Sequence, residues 1–183
     1  VGYVVAQQGS VIDVSGTHLD GVRLKTNARL TAPHSIASAG GSIDIRAREG
    51  ILLAGQMSGQ AGSSSARGGT LGVTLDREDR TGGAAFPQQA RDLQLSQSAL
   101  EAVVPPGLSA GQAIVGREGQ GLLPLAAFAD GGFSRLNFKS QDRVTLVGDV
   151  TLAAGASVLL DTPVLAAATP GSSAHIVAPV VSL

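Results

Sequence analysis

The sequence contains no cysteine and no tryptophan, and aromatic residues make up only 3% of its 183 residues. Without cysteine, neither a disulfide framework nor a thiolate metal site can form. With so few aromatic side chains, the interior must be filled by Val, Ile, Leu and Ala, which suits a narrow core. The lack of thiols is compatible with export, because a long secreted chain then has none that could cross-link early.

Charge and long apolar runs are also scarce. The net charge is −1 at pH 7, which leaves no field to attract nucleic acid or an anionic membrane. No run approaches the ~18 consecutive apolar residues of a transmembrane helix. We therefore expect no nucleic-acid partner and no membrane insertion. Because the sequence starts at Val1 without a signal peptide and stops at Leu183 inside a strand pattern, we expect an internal segment of a longer protein.

What the sequence does contain is a repeat of itself. Residues 42–57 return as residues 135–150, at a constant offset of 93 residues and without a gap. Apolar residues match apolar residues, the basic Arg46 matches Lys139, and the acidic Glu49 matches another acid. Repetition of short strand patterns predicts a stacked, quasi-one-dimensional architecture.

Short segments with alternating apolar and polar residues, bounded by Gly, Asn, Asp or Ser, predict short half-buried strands. They cover residues 11–14, 22–25, 28–31, 43–45, 51–53, 71–75, 92–96, 136–138, 144–146, 150–152, 158–160 and 164–165. The alternation places Thr145 on the outer side and predicts one continuous interior. Its members are Ile43, Ile45, Ile51, Leu53, Leu136, Phe138, Val144, Leu146, Val150, Leu152, Val158 and Leu160.

In the last third of the chain, strand starts follow each other by 8, 6 and 8 residues from Leu136. Three strands therefore complete one circuit, and circuits would stack at the ~4.8 Å strand spacing. Antiparallel hairpins are the rival arrangement, but their Asp-Gly turns occur only at residues 20–21 and 130–131. The fold class that we predict is all-β, a right-handed parallel β-helix.

Residues 77–130 break this rhythm and predict an irregular insertion that decorates the strand framework. We expect one strand and two short helical turns in it, at a Ser98–Glu101 capping box and after Pro124. The predicted division is 1–76, 77–130 and 131–183 within one continuous solenoid. Loops on a rigid scaffold often carry recognition, so the candidate interaction residues are Arg77, Glu78, Asp79, Arg80, Arg91, Asp92 and Glu101.

The strand patterns at residues 9–16, 40–45 and 148–152 resemble the repeat region of filamentous haemagglutinin-like exoproteins. These are very large bacterial surface proteins, typically exported by two-partner secretion. The likeness covers most of the chain and is weaker over residues 77–130. The family's amino-terminal secretion domain carries Asn-Pro-Asn-Gly or Asn-Pro-Asn-Leu motifs, and none occurs here. The chain therefore resembles the repetitive shaft.

The resemblance implies a secreted or cell-surface adhesive segment with a part in virulence. Such a segment would project a distal binding or toxin module, as in adhesins and contact-dependent inhibition proteins. Its partners would be a protein or glycan ligand on host cells or neighbouring bacteria, and an outer-membrane transporter for the parent chain.

Two other functions fit parts of the sequence. Asp13, Asp44 and Asn137 occupy equivalent outward positions where side chains could stack. A carbohydrate-active β-helix enzyme would need such acids, because glycosidic cleavage requires an acid and a base or nucleophile at fixed separation. Polarity on a solvated face explains the same residues more simply. The third hypothesis is a surface on residues 77–130 that captures a host protein.

The remaining chemistry is sparse. His18, His34 and His175 lie far apart, and none has further ligands at metal-binding spacing. The sequence supplies no pair of acids with a common site and no metal with three ligands. We therefore expect a protein that is not an enzyme, with no catalytic residue, no cofactor and no metal.

Overall fold

The short alternating segments fold as strands in the computed structural model of the chain. It describes residues 2–23, 25–26, 29–30, 32–77, 89–98, 107–109 and 114–183, with 25–26 and 29–30 described by their backbone alone. These residues contain one 3-10 helix, Leu125–Ala127, and nineteen strands. In chain order the strands are β1 (Tyr3–Ala6), β2 (Val11–Asp13), β3 (His18–Val22), β4 (Lys25–Thr26), β5 (Arg29–Leu30), β6 (His34–Ala37), β7 (Ser42–Ala47), β8 (Gly50–Leu53), β9 (Gln56–Ser58), β10 (Thr70–Leu75), β11 (Asp92–Ser96), β12 (Gln120–Pro124), β13 (Arg135–Ser140), β14 (Arg143–Val147), β15 (Val150–Ala153), β16 (Ser157–Asp161), β17 (Leu165–Ala167), β18 (Ala174–Val177) and β19 (Val180–Ser182).

Two parallel sheets contain most of these strands. The six-stranded sheet has the order β1-β8-β12-β11-β14-β17, and the five-stranded sheet has the order β7-β10-β13-β16-β19. The pairs β2–β9 and β15–β18 are also parallel. Only β3–β6 and β4–β5, among the strands described, pair antiparallel. The chain is therefore all-β with mostly parallel sheets, which confirms the predicted strand content and rules out a chain of antiparallel hairpins.

The last third of the chain follows a three-strand rhythm. β13 pairs with β16, β16 with β19, β14 with β17, and β15 with β18. In these registers Leu136 lies beside Val158, and Val144 lies beside Leu165. Parallel partners need a long crossover, and here the two intervening strands supply it. Paired residues are 21 to 24 positions apart in the sequence, close to the 22 residues that the predicted strand starts add up to.

The first two strands of each repeat copy lie in the same two sheets and in matching rows. β7 and β13 carry the two copies and flank β10, where Ser42 and Arg135 both pair with Thr70. In the six-stranded sheet, Ile51 and Val144 lie in one row of side chains. The equivalence holds because the same alternation directs the same positions into the interior.

All twelve side chains predicted for the interior are buried in one aliphatic cluster. Phe138 is its largest fully buried side chain, and its ring centroid lies 5.8 Å from that of Phe128. Each fully buried aliphatic side chain stabilises the fold by about 1.5–3 kcal/mol relative to exposure. The interior is therefore the main source of stability, and the prediction of one continuous core is confirmed.

Residues 77–130 supply two strands of the six-stranded sheet. Their strands β11 and β12 lie in the middle of the six-stranded sheet, between β8 and β14. The expectation that this segment only decorates the framework is wrong for these two strands, because the sheet runs through them. The 3-10 helix directly after Pro124 matches one predicted turn. Residues 99–101 of the other predicted turn lie outside the described residues, and the three-part division of the chain stays a prediction.

The two repeat copies are separated by one strand, β10, in the five-stranded sheet and by two strands, β11 and β12, in the six-stranded sheet. The six-stranded sheet therefore has one extra strand between the copies. β7 and β13 are two strand spacings apart, about 10 Å, whereas β8 and β14 are three spacings apart, about 14 Å. Gly121 of β12 shares an inward row with Ile51 and Leu93. A Cβ at Gly121 would lie 2.6 Å from Leu93 Cδ1 and 3.3 Å from Leu75 Cδ2. The interior is thus already filled where the extra strand enters.

The predicted strand at residues 22–25 is wrong in its bounds. His18–Val22 forms the strand and pairs antiparallel with His34–Ala37, with an irregular register between Leu19 and Val22. Gly21 lies inside this strand with φ of 73°, so the Asp-Gly pair marks the irregularity and not a hairpin turn. The sequence patterns did not predict the strands Tyr3–Ala6, His34–Ala37, Gln56–Ser58, Gln120–Pro124 and Ala174–Val177.

Candidate functional site

Three of the predicted interaction residues, Arg77, Arg91 and Asp92, meet at the corner between β13 and β14. Asp142 Oδ1 lies 3.2 Å from Arg77 Nη2, and its Oδ2 accepts a hydrogen bond of 2.7 Å from the Arg91 amide. The neighbouring Gln141 Oε1 accepts a 2.8 Å hydrogen bond from the Arg77 amide. This corner therefore fixes residues 77 and 91, which are the two ends of a charged segment of the sequence.

Arg91 uses its side chain to join nearby backbone. Its Nη1 donates to the Gln89 carbonyl at 2.8 Å, and its Nε donates to the Asp76 carbonyl at 3.4 Å. Its own carbonyl accepts a 2.8 Å hydrogen bond from Ser140 Oγ. Since its donors and its carbonyl meet the protein itself, Arg91 positions the segment and presents little to a ligand.

Asp92 projects from the outer face of the six-stranded sheet and pairs in register with Arg143. Its Oδ2 lies 3.0 Å from Arg143 Nη2, and its Oδ1 accepts a 2.6 Å hydrogen bond from Thr145 Oγ1. Gln94 Nε2 approaches the same Oδ2 at 3.4 Å. Both carboxylate oxygens are thus occupied, and the residue is buried. Thr145 is buried too, which corrects its predicted exposure although it points away from the core.

The ion pair between Asp92 and Arg143 has no counterpart at the equivalent position of the first repeat copy. Arg143 stands where the first copy has Gly50, and the Tyr3 ring covers that glycine. A Cβ at Gly50 would lie 2.5 Å from Tyr3 Cε1. Burial, followed by the charges of Glu118 and Glu49, raises the pKa of Tyr3. One copy therefore closes its outer face with an aromatic ring and the other with an ion pair.

Three of the seven predicted interaction residues, Arg77, Arg91 and Asp92, come together at this corner. Glu78, Asp79, Arg80 and Glu101 lie outside the described residues. The groups that keep exposed donor surface are the guanidinium of Arg143 and, to a smaller extent, that of Arg77. An anionic partner group could bind these two side chains, because guanidinium forks suit carboxylates and phosphates.

Sequence reasoning missed the residues that complete the corner, which are Gln141, Asp142, Arg143 and Thr145. They belong to the regular repeat and lie 51–65 residues from their partners. One signal was present in the sequence, since Arg143 is a charged residue at a position where the first copy has Gly50. A charged residue that departs from its repeat equivalent is a candidate for a specific contact.

The outward acids do not form a catalytic pair. Asp44 and Asn137 share a row on the five-stranded sheet with Gly72 between them, so their predicted equivalence is confirmed. The row offers one carboxylate, whereas glycosidic cleavage needs two. Asp13 lies elsewhere, on β2, so its predicted place in the same ladder is wrong. Hydrogen bonds from the Ser15 side chain and amide lower the pKa of Asp13 below its usual range.

The hairpin β3–β6 contains a small polar group that the sequence did not suggest. His18 Nε2 lies 3.3 Å from Asp20 Oδ1, and the same oxygen accepts a 2.5 Å hydrogen bond from Ser35 Oγ. The acid separates the serine from the histidine, whereas a nucleophile needs direct contact with its base. Across the described parts of the chain, no three His, Asp or Glu side chains are grouped closely enough to hold a metal ion.

The sequence also contains the Gly-x-Ser-x-Gly spacing of some hydrolases, at residues 107–111. In α/β-hydrolases this motif forms a turn between a strand and a helix. The all-β fold does not provide that setting, and residues 110–111 lie outside the described residues. Leu108 packs against the cluster of Leu52, Ile114 and Leu122 on the outer face of the six-stranded sheet.

No protein-family model matches this chain, and neither a curated protein nor a solved structure does. Within the described residues, no helix has both the length and the apolar character needed to cross a membrane. The geometry of the sheets and of the charged corner is therefore the basis for a functional proposal.

Proposed function

We propose that this chain is a right-handed parallel β-helix that serves as a shaft segment of a large exported bacterial surface protein. The filamentous haemagglutinin-like exoproteins are the family that it resembles. The observation that carries the proposal is the shared register of the two repeat copies, in which Ser42 and Arg135 lie in one row across Thr70. Such rows are what repeated circuits of one coil produce.

The physics of stacked strands suits a spacer. Each circuit buries its own aliphatic side chains, and its hydrogen bonds to the next circuit run along the long axis. Adding circuits therefore lengthens the stack while it stays stiff. Five strands in one sheet span four spacings, about 19 Å along that axis. In this function the segment displays a distal binding or toxin module away from the cell, and an outer-membrane transporter exports the parent chain.

A second function, capture of a protein or glycan on a host or neighbouring cell, is favoured by one observation. Asp142 binds Arg77 and Arg91 at the same time, so the charged segment between them starts and ends at one fixed base. Residues attached to a rigid framework are a common setting for recognition. The exposed Arg143 beside it suits an acidic partner.

A carbohydrate-active enzyme is the alternative from another class, with Asp44 or Asp13 as the acid. Its test is cleavage of oligosaccharides by the purified chain, followed by product analysis. Activity that is lost in Asp44→Asn or Asp13→Asn would replace the shaft proposal with the enzyme. We expect no cleavage by the chain or by either variant.

The shaft proposal is tested first by a high-resolution experimental structure. We expect the chain to wind in a right-handed sense, with successive circuits about 4.8 Å apart along one axis. A left-handed path of the chain, or strands that do not stack along one axis, would contradict the proposal.

A further inference from the structure

An antiparallel β-hairpin stands away from the stacked parallel sheets at residues 18–37, which we call the arm. Its strands β3 and β6 pair with each other, and β4 and β5 pair with each other farther from its base. Among the side chains of the arm that the structure describes, none is buried, and none belongs to the aliphatic cluster of the interior. The arm therefore offers two exposed faces and lies outside the core.

The base of the arm is fixed to the stack by backbone hydrogen bonds. The Ser38 amide donates to the Thr17 carbonyl, and the Thr17 amide donates to Ser38 Oγ, both at 2.9 Å. The Ser38 carbonyl accepts a 2.9 Å hydrogen bond from the Gly62 amide, and the Gly16 amide donates to the Gln60 carbonyl at 2.7 Å. The paired strands of the arm thus extend from a fixed point.

One face of the arm is apolar and the other is polar. Leu19 and Ile36 are direct cross-strand neighbours, and they are 63% and 52% exposed. Successive residues of a strand point to opposite faces, so Asp20 and Ser35 lie on the other side. There Asp20 Oδ1 accepts a hydrogen bond from the Ser35 hydroxyl and lies 3.3 Å from His18 Nε2. Two adjacent large aliphatic side chains on one exposed face suit contact with an apolar phase.

Positive charge is concentrated in the arm. The arm contains three basic residues, Arg23, Lys25 and Arg29, and a single acid, Asp20, so its net charge is +2. The rest of the chain holds the other 10 basic and 13 acidic residues, a net charge of −3. The backbone places Lys25 on β4 and Arg29 on β5, away from the base. The net charge of −1 for the whole chain therefore conceals a positive segment.

We propose that the arm binds the surface of an anionic lipid bilayer. Anionic head groups attract nearby basic residues, and aliphatic side chains beside them enter the boundary between head groups and acyl chains. A soluble polyanion would satisfy the basic residues but would offer no apolar phase to Leu19 and Ile36. The contact is peripheral and needs no membrane-spanning segment. It gives the proposed shaft a hold on a cell surface, and it does not depend on the handedness of the coil.

Vesicle flotation tests the charge of the arm. We expect the chain to bind vesicles of phosphatidylcholine and phosphatidylserine, mixed in about a 2:1 ratio, at least about tenfold more tightly than vesicles of pure phosphatidylcholine. A variant with glutamine in place of Arg23, Lys25 and Arg29 should lower the partition coefficient for the anionic vesicles about a hundredfold, because each basic residue near such a surface strengthens binding about fivefold.

The matched control for charge has glutamine in place of Arg46, Arg67 and Arg135. These three side chains are exposed and lie outside the arm, so the control loses the same charge from the stack. Since salt screens charges that stay more than about 10 Å from the bilayer, the control should keep the partition coefficient within about threefold of the wild-type value. Equal losses in the two variants would overturn the proposal, and so would a wild-type chain that does not bind anionic vesicles.

The apolar face is tested by Leu19→Ser combined with Ile36→Ser. The partition coefficient for anionic vesicles should fall at least about tenfold, because both side chains leave water on binding. Leu159→Ser is the control, since Leu159 is exposed on the outer side of β16, and it should leave binding unchanged. Urea midpoints near the wild-type value verify that each variant is folded. Binding that needs the basic residues but not Leu19 and Ile36 would assign the arm to a soluble polyanion and overturn the bilayer as its partner.

Discussion

The backbone amide of Arg91 donates a 2.7 Å hydrogen bond to Asp142 Oδ2 across 51 residues of sequence. The other oxygen of this carboxylate binds the Arg77 guanidinium. One side chain in a regular corner between two strands therefore anchors a segment whose charged residues were the predicted interaction site. In the proposed binding function, a residue outside that segment holds it in place.

Replacing Asp142 with alanine should loosen this anchor. The side chain is partly exposed, and its hydrogen bonds to the two arginines predict a loss of about 1–3 kcal/mol in unfolding free energy. We also expect faster trypsin cleavage between residues 77 and 91. Asp161→Ala is the control, because its ion pair with Lys139 is exposed and such pairs contribute about 0–1 kcal/mol. Equal cleavage of both variants would contradict the anchoring function.

Leu146→Asp should destabilise the chain strongly, because it places an unpaired charge in the aliphatic interior. We expect a loss of more than about 3 kcal/mol, measured by thermal or urea unfolding. Thr151→Asp, on the exposed side of β15, should change stability by less than about 0.5 kcal/mol. Similar losses in both variants would mean that the inward and outward positions are misassigned.

Gly121→Val should overfill the interior where the extra strand enters the sheet. The new Cβ would lie 2.6 Å from Leu93 Cδ1, and overpacking of this kind costs about 1–3 kcal/mol. At Gly155 a Cβ would meet nothing closer than Ser134 at 3.8 Å. Urea midpoints should therefore fall for Gly121→Val and stay near the wild-type value for Gly155→Val.

Asp149 should titrate at an unusually low pH. Hydrogen bonds from the Ser173 amide and hydroxyl lower the pKa of Asp149, whose unfolded value is about 3.9. A lowered pKa in the folded state means that the contribution to stability is present above about pH 3.9 and is lost as the pH falls through the folded value. Carboxyl NMR titration checks the direction, and Ser173→Ala should move the pKa of Asp149 upward. A folded pKa at or above the unfolded value would show that the Ser173 contacts do not form.

The strand framework could be predicted from the sequence because its determinants are local. Ile43 and Leu136 are buried in one row because each lies in an alternating segment, and the 93-residue repeat tied the two segments together before any contact was known. The absence of cysteine and the scarcity of aromatics likewise predicted a narrow aliphatic interior. Antiparallel pairing was harder to foresee, because Gly21 interrupts the alternation of β3.

The contacts within the charged corner were decided by the tertiary structure. Nothing near Thr145 in the sequence indicates that Asp92, 53 residues away, will bury it. The order β8-β12-β11-β14 reverses two strands relative to the chain, and no local pattern encodes that reversal. Alternation determines which way a side chain points, since it depends on neighbouring backbone geometry. Which partner then covers that side chain depends on chain segments that only folding brings together.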